Sequence, residues 1–223
     1  MTETAALRAQ AYAALSLALS AGRFAPGQKM ILRGLAEELG VSPMPVREAL
    51  NRLVAEGALE SRDRRSIRVP LLSGDDLREL RDIRIEVEGL AAERAARAAT
   101  PALVAELRSL ALGIRAARDR GDVAADARAI RDYHFAIYRG AGMPALEGLI
   151  TSLWLRTGPY VPLLFPDYAR GRTGEERRRL TEAIAARDGA TARAEMAADI
   201  NDALSWVAAR LGPTPLENRH AGP

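Results

Sequence analysis

The chain has 223 residues, 48% hydrophobic and 27% charged, with no cysteine and a formal net charge of +3. That length supplies a core for one large domain or two small ones, and the missing cysteines exclude a disulfide framework and any thiolate metal site. The opening MTETAALRAQ lacks the features of a secretory signal, and no uncharged apolar run approaches the roughly 18 residues of a membrane span, so a soluble cytoplasmic protein is expected.

Charge is distributed unevenly. Residues 1–72 carry ten Lys or Arg against seven Asp or Glu, whereas the remainder carries 22 against 22. Arg62, Arg64, Arg65 and Arg68 crowd into one short stretch with the single acid Asp63. A local basic excess points to a polyanionic partner, although a solvated charged face has the same composition.

The expected architecture is mainly α. Residues 1–72 should form a winged helix-turn-helix with a small β-hairpin wing, and 73–212 an all-α bundle of about six helices, with a flexible tail over 213–223. Within 30–60, Leu32, Leu35, Ala36 and Leu39 make one apolar stripe closed by Gly40. After the turn Gly40-Val41-Ser42, Val46, Ala49, Leu50 and Leu53 line a second helix that Gly57 ends. Segments 58–61 and 66–70 then flank the arginine cluster as arms of a hairpin. Two short helices about a glycine turn present the second helix to a DNA major groove. Ser42 offers a hydroxyl at the helix start, where free N–H groups favour phosphate. Pro43 and Pro45 fall in the first turn, where their missing N–H groups break no helical bond. Arg47 lies one turn in, within reach of guanine O6/N7, with Met44 and Arg52 as further outward contacts. Arg33 suits a backbone phosphate, and Arg64 and Arg65 belong to the wing. A plain helical hairpin with solubilising arginines is the competing reading.

Val69–Ser73 marks the expected domain boundary. Beyond it, helices are predicted over 74–98, 101–119, 122–140, 144–165, 168–187 and 189–211. Thr100-Pro101 is a cap followed by proline, and Ser73 with Asp76 and Thr173 with Glu176 have capping-box spacing. On four of these helices one polar residue interrupts the inner stripe. Arg84 falls among Leu77, Leu80, Val87 and Ala91, and His134 among Val123, Ala127, Ile130 and Ile137. Arg177 shares a face with Leu180 and Ile184, and Asp199 lies with Ala192, Met196, Ala203 and Trp206. Unpaired buried charge is costly, so these groups must meet one another or a ligand. Arg84 has Glu88 one turn on as a partner. The set suits a small anionic molecule such as a carboxylate, with Arg177 as a bidentate clamp. An internally paired core, including an Arg177–Asp199 ion pair, is the alternative. One histidine in the folded region and no cysteine leave little for catalysis, so no enzyme is expected.

The run RFAPGQKMILRGLAEELGVSPMPVREALNRLVAEGAL resembles the winged-helix domain of GntR-family transcription regulators, through Pro26-Gly27, LAEELGVS (35–42) and PVREAL (45–50). The resemblance covers about residues 10–70 and implies DNA contacts by Arg33 and Arg47. Many members carry arginine where this chain has Pro43, and a common wing glycine is replaced near Ser66. LLSGDDLRELRDIRIEVEGLAAERAA, DYHFAIYRGAGMPAL and AIAARDGATARAEMAADI are similar to motifs of the FCD-type effector domain of FadR-type members. That similarity implies a homodimer on a near-palindromic operator in double-stranded DNA, responsive to a small metabolite. It also implies a divalent metal at positions matching Ile130, His134, Arg177 and Asp199. Only His134 is kept and Asp199 remains able to ligate, so no metal cofactor is expected.

Overall fold

The computed structural model describes residues 3–62 and 66–212. By its internal packing the chain divides into two compact units, one comprising residues up to Leu71 together with Trp154–Tyr160, the other the remainder.

The first unit holds helices Glu3–Ser20 (α1), Leu32–Leu39 (α2) and Pro43–Ala55 (α3), then strands Glu60–Arg62 (β1) and Ser66–Arg68 (β2). Gly40 ends α2 in the left-handed conformation (φ 65°), its N–H bonded back to Ala36 and Glu37, which turns the chain into α3. The inner stripes interdigitate as their spacing predicts. Leu35, Ala36, Val46, Leu50 and Leu53 share one core with Leu15 and Leu19 of α1. The two strands pair antiparallel with Ser61 opposite Ile67. Lys29 forms an isolated antiparallel bridge to Arg68 beside this two-stranded sheet. The hairpin tip, with Arg64 and Arg65, lies outside the described residues.

Residues 154–160 have no counterpart in the sequence reading of this unit. Leu155 joins its core, the Tyr160 hydroxyl donates to the Pro70 carbonyl at 3.2 Å, and Gly158 lies against the Ser20 backbone.

The second unit is helical: Gly74–Arg97 (α4), Pro101–Asp119 (α5), Val123–Gly140 (α6), the body of Pro144–Thr157 (α7), Asp167–Arg170 (α8), Glu175–Ala185 (α9) and Gly189–Leu211 (α10). Ser73 and Asp76 form the expected capping box, and the Thr100 side chain caps α5. Helix α10 lies along α4, α5 against α6, and α9 touches α4, α5 and α10. The α4–α10 approach is close enough that a Cβ on Gly74 would stand 2.5 Å from the Ala208 carbonyl.

Two predicted helices are corrected. The helix expected over 144–165 stops at Thr157, because Gly158-Pro159 disfavours a further α turn, and the chain continues as a 3₁₀ stretch from Gly158 to Leu164. The helix expected over 168–187 is interrupted: α8 ends at Arg170, and α9 starts only after Gly174 at φ 88°, without a side-chain cap. The Thr173 capping box therefore does not form. Among the described residues no helix is long and apolar enough to cross a membrane.

These close approaches are testable. A Cβ at Gly158 would stand 2.6 Å from Ser20 backbone atoms, so Gly158→Ala is expected to destabilise by about 1–3 kcal/mol, as overpacking does. Gly148→Ala, on an exposed stretch of α7 with nothing within 4 Å, should instead stabilise by up to about 1 kcal/mol. Thermal melts of the two variants should move in opposite directions.

Candidate functional site

In the first unit, α3 turns Pro45, Val46, Ala49, Leu50 and Leu53 inward, which leaves Ser42, Met44 and Arg47 exposed on its outer side. Ser42 is the N-cap residue, but its side chain makes no cap bond. Arg33 is exposed in the first turn of α2. Arg52 differs from these. It stands about 140° round the helix from Arg47 at 3.6 residues per turn. Its guanidinium lies 3.8 Å from the centre of the Tyr12 ring and its Nε donates to Glu56 at 2.8 Å. Tyr12 also donates to Glu56, at 2.6 Å. Arg8 on α1 pairs with Glu48 at 2.6 Å. Arg52 is thus held in an α1–α3 brace, away from the face that carries Met44 and Arg47.

In the second unit, the interrupted stripes meet. Arg84 and Glu88 form a fully buried bidentate pair, with Nη2 to Oε2 at 3.1 Å. The Tyr138 hydroxyl donates to Glu88 and lies 3.0 Å from His134 Nδ1. On its other side His134 places Nε2 3.2 Å from Asp199. Asp199 also accepts from Arg172 at 2.6 Å, and Arg172 reaches Glu176 at 2.6 Å. Glu176 is the nearest acid to Arg177, at 3.5 Å. Four elements, α4, α6, α9 and α10, with the turn before α9, contribute to this one chain of contacts.

Arg84 pairs with Glu88 as its spacing predicts, but the Arg177–Asp199 ion pair is corrected: Asp199 takes Arg172 as its partner. Arg177 is 5% exposed and its Nε has no hydrogen-bond acceptor. The Tyr133 hydroxyl donates to the Arg177 carbonyl at 3.0 Å and lies 2.9 Å from Thr181, fixing α9 at that point. Two participants were missed in sequence. Tyr138 was accessible, one turn after His134. Arg172 was not, because the helix predicted over 168–187 is broken there and the break turns Arg172 toward Asp199.

Electrostatics follow from this packing. Burial pushes the Asp199 carboxyl up, but the His134 hydrogen bond and the charges of Arg177, His134 and Arg172 outweigh it and hold it well below the ordinary aspartate value. Asp126 is raised by burial, with Arg118 at 3.0 Å offsetting only part of that. Arg118 is lowered, first by burial and then by the neighbouring charge of Arg177.

The metal implied by the family resemblance does not fit these residues. Ile130 has no donor and Arg177 is cationic. His134 and Asp199 face each other, and Asp199 also holds Arg172. Among the described residues no group of three or more His, Cys, Asp or Glu could hold an ion.

The helix-turn-helix with its strand wing, joined to an all-helical unit, defines a transcription regulator with a DNA-binding module. Comparison with known proteins agrees with that class. Residues 7–69 match the family described as bacterial regulatory proteins, gntR family, and residues 79–202 match the FCD domain. The chain belongs to the GntR family and carries an FCD domain. It is 38% identical over 147 residues to the HTH-type transcriptional regulator McbR of Escherichia coli (strain K12), a stretch that spans 66% of either chain. A solved structure of E. coli McbR/YncC matches with a TM-score of 0.84 at 32% identity, covering 94% of this chain and 99% of that one. A probable D-xylose utilization operon transcriptional repressor of Paenarthrobacter nicotinovorans is 29% identical over 170 residues, 76% of this chain and 75% of that one. These relatives are regulators, not enzymes.

The shared carboxylate gives a prediction. Asp199→Asn removes the anion that His134 and Arg172 share, leaving Arg172 with Glu176 and Asp202, a loss of roughly 3 kcal/mol by analogy with broken buried pairs. Because the folded carboxyl titrates below its unfolded value of about 3.9, its stabilisation is complete above about pH 5 and fades as pH falls through the folded value. Thermal melts should therefore show a deficit for the variant at neutral pH that narrows below about pH 4.

Proposed function

We propose that this chain is a ligand-responsive operator-binding regulator of the FadR-type branch, acting in the cytoplasm as a homodimer. In this reading α3 enters the major groove, Arg47 and Met44 meet base edges, and Ser42 and Arg33 hold backbone phosphate. The wing, with Arg64 and Arg65, lies along the backbone. Two-fold symmetry of the dimer gives a near-palindromic operator, and repression by occlusion is the expected output. A small anionic metabolite bound in the helical unit shifts operator affinity by binding the DNA-competent and incompetent states unequally.

The observation that carries the DNA reading is the exposed outer face of α3, where Arg47 makes no ion pair among the described residues. Arg52, engaged with Tyr12 and Glu56, is assigned a bracing role instead. A second reading, a regulator without an effector, is favoured by the internal pairing of Arg84, His134 and Asp199. The effector reading rests on Arg177, whose Nε is left without an acceptor.

An operator selected from random duplexes allows the test. Arg47→Ala should cost about 1–3 kcal/mol of specific affinity and relax preference at one base position. Arg52→Ala should leave sequence preference intact and lower the melting temperature. Equal loss for Arg47→Ala on selected and random DNA would reject base reading by Arg47.

We also infer that the helical unit works without a resident divalent ion. Elemental analysis of protein purified without chelator should find no stoichiometric metal, and one ion per chain would refute it.

A further inference from the structure

The exposed side of α3 is not uniformly cationic. Its first turn shows Pro43 and Met44 to solvent, and Arg47 and Asn51 follow on the same side. Met44, Arg47 and Asn51, at spacings of three and four, make one stripe along the helix. Met44 is 56% exposed, a long apolar side chain at the N-terminal tip of a helix whose Val46, Leu50 and Leu53 are buried. No acid interrupts the stripe. Glu48 is drawn to Arg8 of α1 at 2.6 Å, and Glu56, just past the end of α3, takes Arg52 and Tyr12.

The tip is also poor in hydrogen-bond donors. A helix start leaves its leading backbone N–H groups open, but Pro43 and Pro45, the first and third helical residues, supply none. The first turn therefore offers a groove mainly apolar surface, with the backbone on either side of Met44 fixed by proline rings. A lone exposed apolar side chain is ordinary on a protein surface, so exposure alone assigns nothing to Met44. Its place at the head of the stripe that carries Arg47 does. On the major-groove edges of the four bases, the C5-methyl of thymine is the single apolar group among donors and acceptors. A thioether chain gains by covering that methyl, whereas covering any other edge desolvates polar groups that it cannot pair.

We propose that Met44 is a specificity-determining residue that packs on a pyrimidine C5-methyl group, so that each operator half-site carries a thymine close to the guanine met by Arg47. Three residues of helix rise by about 4.5 Å, against roughly 3.4 Å per base step, which puts the two bases one or two steps apart. The proposal rests on the reading in which α3 enters the major groove, and it names the base that the tip of α3 selects. The two contacts differ in kind. Arg47 acts through charge and a fixed fork; Met44 acts through apolar burial by an unbranched, adaptable chain.

Binding of the full chain to an operator selected from random duplexes, with each thymine replaced in turn by deoxyuridine, tests the assignment, because the replacement removes the methyl group alone. At one thymine per half-site, uracil should weaken binding by about fourfold, the worth of one buried methyl, and by the same factor at low and high salt. Met44→Ala should bind the thymine and uracil operators equally while keeping the preference for guanine. Alanine at this exposed helical position retains the fold, and the uracil series itself needs no variant. 5-Methylcytosine placed at the same position identifies the source of the methyl: tighter binding than cytosine admits methylated cytosine, and equal binding confines the contact to thymine. Indifference of the wild-type chain to uracil at every thymine, or an unchanged thymine–uracil ratio in Met44→Ala, would overturn the assignment. Arg47→Ala on the same duplexes separates this claim from the wider reading. If Arg47→Ala relaxes one base position while uracil has no effect, the Met44 contact is rejected and groove entry by α3 stands. If neither variant alters sequence preference and uracil has no effect, groove entry by α3 is rejected with it.

Discussion

Asp199 accepts from two cationic or polar partners at once, His134 at 3.2 Å and Arg172 at 2.6 Å, and the order of the helical unit depends on that sharing. An isolated carboxylate buried among helices would be expelled or protonated. Here each buried ion has a counter-ion within hydrogen-bond reach, and the hydrogen bonds run on through Tyr138 to the Arg84–Glu88 pair. Such a network contributes less to net stability than an apolar core of the same volume, but removing one member leaves the others exposed to the full desolvation cost. It therefore adds to the register that the buried apolar packing of α4, α6, α9 and α10, with Leu77, Leu80, Ile137, Leu180, Ile184 and Met196, sets for these helices.

The same sharing sets how the charges at the centre of the helical unit are arranged. Arg177 places a fixed positive charge on α9 beside Glu176. Arg172 pairs with Asp199. Guanidinium brings directional N–H groups to this centre. The Nε of Arg177 is the point where bonding capacity stays open.

In the DNA-binding unit the division of labour among arginines is equally physical. Arg47 projects from the exposed side of α3, whereas Arg52 stacks on Tyr12 and pairs with Glu56. Both are surface arginines on one helix, and both carry the same charge in the sequence. An aromatic ring on a different helix distinguishes them, since a cation over a ring face is held there by the ring quadrupole.

The bounds of the helices from 74 to Gly140, the turn at Gly40, the hairpin arms and the inward stripes of α2 and α3 were legible in the sequence, because they depend on local periodicity, caps and glycine conformation within a few residues; α1 (Glu3–Ser20) was not among the predicted elements. The breaks at Gly158 and Gly171–Gly174 were legible in part: the glycines and prolines stand in the sequence, but whether a helix resumes across them depends on packing. The four polar residues on apolar stripes were identifiable as a set from periodicity alone. Their pairing was not. Arg172 and Asp199 lie 27 positions apart and Tyr138 and Glu88 50 apart, and no local rule relates residues at such separations. By itself the sequence determined most of the helices, the outward face of α3 and the presence of buried charge. Only the tertiary structure decided which charges neutralise one another and which donor remains open, because hydrogen bonds reach about 3 Å and the fold alone brings distant side chains that close.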